Sequence, residues 1–352
     1  MSKRVLVYRL GSLGDTVVAL PALHLVRKTF EGAELCLLTN KPVASKAAPM
    51  ESVLGPDYFA EVIDYPVGTR NPAKLLAVAW RIRAGKFDVL VNLSAARGRL
   101  KAWRDYCFFR VSGIGRIIGT PTQSWDFAVA EDSDTGLYEN ETLRLLRRVV
   151  SLGAADLKDS STWDLQLTGE ERAKAHTVLP EYCKPTIAAC FGTKMQAKDW
   201  ERANWVELVS RLGATLPDWR LVVVGSTDES DRAVECTKGW RGPVVNLCGA
   251  LSPRESAAVL EKCALFIGHD SGPMHLASAV GTPPVAIFAA RNLPGQWFPA
   301  RPGHTVIYHK TDCFGCGLET CVAERKRCIM SIAVDEVFDA VMASLRSRGL
   351  MG

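Results

Sequence analysis

Residues 264–290 read ALFIGHDSGPMHLASAVGTPPVAIFAA. An apolar burst of strand length (264–268) enters a short polar turn (269–272), and a segment of helical character follows (273–280). Gly281 then stops the helix and a second apolar burst begins at 284. This strand, helix, strand order requires a parallel sheet, because the chain crosses over before it pairs again. Ser271 stands where a helix cap belongs, with Gly272 and Pro273 opening the helix. Unpaired N–H groups and the positive end of the helix dipole make such a terminus a place for an anion. Asp270 is adjacent, and His275 follows Ser271 by about one helical turn. The plain alternative is an ordinary crossover whose polar turn faces water.

The stretch belongs to a chain of 352 residues, enough for two domains, with 47% hydrophobic and 23% charged residues, as in ordinary globular chains. The first residues, MSKRVLVYRL, enter a strand pattern without an apolar signal segment. The longest apolar stretches are cut by proline, glycine or histidine, so no membrane span is expected. A cytoplasmic protein is the expectation, with peripheral attachment to the inner face of the inner membrane left open. The eleven cysteines then read as reduced thiols.

The net charge of +5 is unevenly placed. Residues 97–116 carry Arg97, Arg99, Lys101, Arg104, Arg110 and Arg116 against Asp105, interleaved with Trp103, Tyr106, Phe108 and Phe109. This is either a solvated helix face or a patch for an anionic acceptor or membrane surface. No nucleic-acid module accompanies it, and no nucleic-acid partner is expected.

In chain order, a strand at 4–8 leads into the turn RLGSLGD (9–15), followed by a helix over 16–30 that Pro21 should kink. Strands are predicted at 34–39, 59–64 and 87–93, and helices at 73–83 and 138–151. This alternation indicates a doubly wound first half. Residues 153–168 lack periodicity and read as a linker, so the domains are taken as 1–160 and 161–352. Thr168 and Glu171 form a capping-box pattern that opens the second half. Strands at 186–190, 220–225, 244–247, 265–268 and 285–288 follow, with helices such as 205–216 and a terminal helix at 334–346.

Asp270, Ser271, Gly272, His275, Leu276 and Ala277 resemble the signature of glycosyltransferase family 9, the bacterial heptosyltransferases. Gly14, Asp15 and the segment 20–23 (LPAL) are similar to that family's opening turn and helix. The resemblance implies two Rossmann-like domains facing a cleft, the glycosyltransferase B-type fold, with the terminal helix crossing back to the first domain. It implies Asp15 as catalytic base, although the same carboxylate could simply cap the following helix. Residues 197–200 (AKDW) resemble the family's donor-phosphate segment, which points to Lys198, with Lys194 second. In GSTDESD (225–231) an acidic residue should hold the donor ribose, Glu229 before Asp228. With Asp270, Ser271, Gly272 and His275 these make the donor site, and Arg97, Arg99, Lys101 and Arg104 the acceptor site.

The implied reaction is inverting transfer of heptose from ADP-heptose to a lipopolysaccharide inner-core or other lipid-linked acceptor at the membrane surface, with no cofactor in the chemistry. A sugar-nucleotide epimerase of the same fold is an alternative, as is a family 9 transferase with another donor or with a protein or other glycan acceptor. An epimerase would release rearranged sugar with no acceptor present. A non-catalytic nucleotide binder would have no use for a carboxylate at position 15. Finally, Cys313, Cys316, Cys321 and Cys328 follow a C-x2-C-x4-C-x6-C spacing in a Gly-containing loop. They suit a structural zinc or iron, as some relatives hold there, or stand as free thiols, or pair as disulfides, which a reducing cytosol disfavours.

Overall fold

The computed structural model describes residues 3–41, 49–66, 69, 71–95, 98–127 and 129–351. The chain divides into two compact units, Met1–Gln166 and Leu167–Gly352.

In the first unit β1 (Arg4–Tyr8), β2 (Glu34–Lys41), β3 (Glu61–Pro66), β4 (Val89–Asn92) and β5 (Arg116–Ile118) form one parallel sheet in the order β3-β2-β1-β4-β5. The central strand RVLVY buries Val5, Leu6 and Val7 completely, as a parallel strand covered on both faces must. Its helices are α1 (Leu13–Val17), α2 (Leu20–Thr29), α3 (Pro72–Ala84), α4 (Arg99–Val111) and α5 (Glu141–Arg148). The single kinked helix expected over 16–30 is two helices. Pro21 lies in the first turn of α2, where its missing N–H costs nothing, so it starts a helix and does not bend one. The segment 153–168, read as a linker, contains a 3-10 turn at Ser160–Trp163 whose Trp163 is buried and donates from Nε1 to Leu157 O at 2.9 Å.

The second unit has the sheet order β11-β10-β9-β6-β7-β8, again all parallel. Its strands are β6 (Thr186–Cys190), β7 (Arg220–Val223), β8 (Val244–Asn246), β9 (Leu265–His269), β10 (Pro284–Phe288) and β11 (Thr305–Tyr308). The helices are α6 (Gly169–Val178), α7 (Arg202–Thr215), α8 (Ser230–Thr237), α9 (Pro253–Glu261), α10 (Gly272–Val280), α11 (Arg327–Met330) and α12 (Val334–Ser347). The Thr168–Glu171 capping box opens α6 as its pattern indicates: Glu171 N donates to Thr168 Oγ1 (3.2 Å) and Thr168 N to Glu171 Oε2 (2.7 Å). The core gathers Ile187, Val223, Ile267 and Ile287 from the strands with Trp200 and Trp205. Helix α12 packs Val337, Val341 and Leu345 into this core beside α7 and β10.

In both sheets the strand order reverses beside the first strand, between β1 and β4 and between β6 and β9. The carboxyl ends of strands at such a reversal are where open α/β sheets bind ligands.

Candidate active site

Cys190 on β6 pairs with Gly268 on β9, so the turns that leave these two strands start side by side. The first carries Lys198 and the second Asp270. Lys198 Nζ donates to Asp270 Oδ2 at 2.5 Å and to Asp270 O at 3.2 Å, and both side chains are largely shielded from water. His275 Nε2 stands 3.9 Å from the other carboxylate oxygen. Ser271 occupies the N-cap position of α10 with extended backbone, but its side chain makes no cap bond and lies against the Cys190 thiol. Gly272 and Met274 therefore keep first-turn N–H groups with no intrahelical acceptor, while Pro273 has none to offer. At the other end Gly281 takes φ +90°, the left-handed cap expected of a glycine there.

The turn after β7 joins this group. Glu229 Oε2 accepts from Ser226 N at 2.7 Å, and the carboxylate lies so close to Gly192 that a Cβ on that glycine would fall 1.7 Å from Oε1. Asp228 is exposed. Lys194 is exposed as well; partial desolvation lowers its pKa and the charge of Glu229 works against that. The structure thus brings together Lys198, Asp270, Ser271, Gly272 and His275, with Glu229 reaching them through Gly192.

His269, the last residue of β9, has no part in the sequence reading beyond lying in a polar turn. It is fully buried, accepts from Trp200 N on Nε2 (3.0 Å) and approaches Gly192 O with Nδ1 (3.3 Å). A neutral ring with its proton on Nδ1 satisfies both. Burial pushes its pKa down to about 4, against the pull of Asp199. One imidazole thereby ties the strand-end turn of β9 to both ends of the turn that carries Lys198. Asp199 in that turn is held by Arg232 at 2.5 and 3.1 Å. Its other brace is the Cys-containing loop: Ala197 N donates to Glu319 O (3.0 Å), Cys321 N to Gln196 Oε1 (2.9 Å), and buried Lys326 Nζ to Asp199 O (3.0 Å) and Glu201 Oε1 (2.7 Å). These contacts span more than a hundred residues, and no local pattern announces them.

In the first unit Asp15 lies in the first turn of α1. Its Oδ2 accepts from Ser12 N at 2.8 Å and Ser12 Oγ at 3.2 Å, which makes it part of a cap, and its side chain is about a third exposed. The helix it serves begins at Leu13, three residues before the sequence reading put it. Gly11, at φ +141°, leaves the room: a Cβ there would fall 2.3 Å from Asp15 Cβ. Beneath, Arg9 is buried, donating to Asp15 O (2.8 Å) and Leu93 O (2.6 Å) and pairing with buried Glu141 at 3.3 Å. Arg144 grips the same carboxylate with two 2.7 Å bonds. Burial works to raise the pKa of Glu141, and Arg144 and Arg9 more than reverse it.

Arg97 lies outside the described residues. Arg99, Lys101 and Arg104 are exposed on α4, and Arg104 is bonded to its neighbour Asp105 at 2.6 and 3.0 Å. In the Cys-rich loop the Cys328 thiol is pushed up by burial and by the nearby charges of Cys313 and Cys321, while Cys316 is exposed. Thiolates are the right donors for zinc or iron, yet among the described residues no three His, Cys, Asp or Glu side chains are arranged to hold a metal.

A family model for glycosyltransferase family 9 (heptosyltransferase) matches residues 76–326, more than half of the chain. The chain belongs to glycosyltransferase family 9. It is accordingly a glycosyltransferase, and the match spans the turns of Lys198, Glu229 and Asp270. A family 9 relative from Escherichia coli, named lipopolysaccharide heptosyltransferase 3, is 33% identical over 299 residues, 79% of this chain and 81% of that protein. Among solved structures, a family 9 glycosyltransferase from Veillonella parvula superposes with a TM-score of 0.71 at 18% identity over 98% of both chains. The E. coli heptosyltransferase WaaC, solved with ADP-2-deoxy-2-fluoro heptose, gives 0.59 at 15% identity over 97% of this chain and 99% of that one. The two doubly wound units therefore have the glycosyltransferase B-type fold of this family.

Proposed function

We propose that this family 9 enzyme transfers heptose from ADP-heptose to a lipopolysaccharide inner-core acceptor, inverting the anomeric centre without a metal in the chemical step. The observation that carries the reading is the Lys198–Asp270 pair beside the N-terminus of α10, at the point where the strand order of the second sheet reverses. The named activity of the E. coli relative and the ADP-sugar bound to WaaC support the donor and acceptor classes.

In this reading the acceptor hydroxyl gives its proton to Asp15 as its oxygen attacks the anomeric carbon. The bond to the β-phosphate oxygen breaks on the opposite face, and ADP leaves carrying the electron pair. Lys198 and the N–H groups of Gly272 and Met274 stabilise that developing charge, with His275 beside them. Glu229 takes the ribose hydroxyls, with Asp228 as the second candidate, and Lys194 lies at the rim. Arg99, Lys101 and Arg104, with Arg97, attract the phosphorylated acceptor. The protein works in the cytoplasm at the inner face of the inner membrane, where such an acceptor is held. No described helix is long and apolar enough to cross a membrane.

A zinc or iron in the Cys-rich loop would be structural: Cys313, Cys316, Cys321 and Cys328 would be its ligands and would have to draw together from the positions they take here, and no catalytic step passes through the loop. Elemental analysis of protein purified without chelator decides this, since less than about half an equivalent of either metal leaves four free thiols. The function itself is tested by incubating the enzyme with ADP-heptose and truncated lipopolysaccharide cores. One heptose added per ADP released is expected. Rearranged sugar without an acceptor, or transfer from other nucleotide sugars alone, overturns the reading.

A further inference from the structure

In the first sheet, the connections from β3 to β4 and from β4 to β5 run in the same direction across the strand order. Right-handed crossovers therefore put α3 and α4 on one face of the sheet, and Arg83 Nη1 of α3 reaches Val111 O of α4 at 3.4 Å. This layer buries little of its own apolar surface: Val78 and Ile82 from α3, Ala102 and Phe109 from α4. What it leaves in solvent is larger. Leu76 and Trp80 on α3 are 69% and 71% exposed, and Leu100 and Trp103 on α4 are 87% and 67% exposed. The charged residues around them are nearly all of one sign. Lys74, Arg81 and Arg83 on α3 and Arg99, Lys101 and Arg104 on α4 are exposed, and Asp105 is the sole acid of the two helices. Glu61 on β3 pairs with Arg81 at 3.3 Å and with Arg4 at 3.3 Å.

We infer that the α3–α4 layer is the surface by which the protein docks on an anionic lipid bilayer. The inference extends the reading above, whose acceptor is a lipid, from a phosphate-binding patch on one helix to a two-helix membrane face. Tryptophan and leucine inserted at the headgroup level, ringed by lysine and arginine, match the two components of such a surface, acyl boundary and negative charge. A second copy of the chain does not fit, because a two-fold contact through this face would set six cations against the same six. A neutral protein partner would leave the basic ring without a counterpart.

The test is co-sedimentation of the full-length protein with phosphatidylglycerol/phosphatidylethanolamine vesicles and with pure phosphatidylcholine vesicles. Binding to the anionic vesicles alone, weakening as salt rises, is expected. Lys74→Gln should lower partitioning about fivefold, the loss of one surface cation at a charged membrane, and Leu76→Ser with Trp80→Ser should abolish it. Neither change touches a group assigned to donor or acceptor. Transfer to a de-acylated, soluble core acceptor without vesicles and the thermal melt should therefore stay as in the wild type. Those two controls separate failure of the docking surface from failure of the transferase reading. The inference is overturned if the wild type ignores anionic vesicles or if the Leu76/Trp80 variant binds them equally. It is overturned also if this face proves to close on a second copy by light scattering, or to bind duplex DNA instead of lipid.

Discussion

The turn after β1 and the paired turns after β6 and β9 occupy equivalent places in two sheets of the same design, yet their electrostatics are opposite. The first offers a partly exposed carboxylate, Asp15, anchored over a buried Arg9–Glu141–Arg144 cluster. The second offers a shielded lysine and a helix N-terminus, steadied by a neutral histidine. One end suits taking a proton and the other suits receiving a negative leaving group, which are the two demands of glycosyl transfer from a nucleotide sugar. The doubly wound frame does not distinguish them. The side chains at its strand ends do.

The largest expected effect breaks the first half of this contrast. Asp15 is the N3 partner of the Ser12 N-cap, and Asp15→Asn keeps a side-chain oxygen to accept from Ser12 N, so the variant should melt close to the wild type. It cannot take a proton, and kcat should fall by about 10²- to 10⁴-fold while ADP binds normally. Steady-state transfer beside a thermal melt reads both. Retained turnover with chemistry rate-limiting would leave Asp15 a cap alone.

Next comes the cluster beneath it. Glu141→Ala leaves Arg9 and Arg144 buried without their carboxylate, and removing one partner of such a group costs about 3–5 kcal/mol. Chemical denaturation should show that loss, and a change under about 1 kcal/mol would mean the cluster relaxes into water. None of this was legible in the sequence. Arg9 and Glu141 are 132 residues apart and neither breaks a local pattern. What could be read were the apolar bursts of the central strands and the polar turns that follow them, because a buried parallel strand announces itself in consecutive residues. The edge strands divide: β3 and β8 fall on predicted strands, whereas Arg116–Ile118 is three residues long, Thr305–Tyr308 is four, and both went unseen. The resemblance ranks Lys198 before Lys194, and the structure adds the contact that sets them apart: Lys198 meets Asp270 while Lys194 is exposed.

His269 tests how the second half is held. With a folded-state pKa near 4 against about 6.5 when unfolded, the buried ring refuses a proton that the unfolded chain accepts. Its contribution is fully present above about pH 6.5 and is lost as pH falls toward 4. Asp199, Arg232 and Lys198 are the charges around it. His269→Asn can replace both hydrogen bonds, and its melting temperature should decline less steeply over that window. His269→Leu leaves Trp200 N–H buried and unmet, at about 1–3 kcal/mol. If both variants melt as the wild type at every pH, the imidazole does not tie the turns together.

The smallest effect is the hardest to read, because Lys198 has two occupations. It neutralises buried Asp270 and, in the proposed reaction, meets the diphosphate of the donor. Lys198→Ala alone would confound them, since it strands a shielded carboxylate as well as removing a phosphate ligand. The informative protein is the double variant Lys198→Met with Asp270→Asn, which removes the ion pair at nearly constant volume and leaves no buried charge behind. It should melt close to the wild type. A charge-assisted contact is worth about 1.5–3 kcal/mol, so its ADP affinity by calorimetry should fall about tenfold or more. A stable double variant that binds ADP as well as the wild type would make Lys198 a structural partner of Asp270. The cationic half of the contrast would then pass to the helix N-terminus alone.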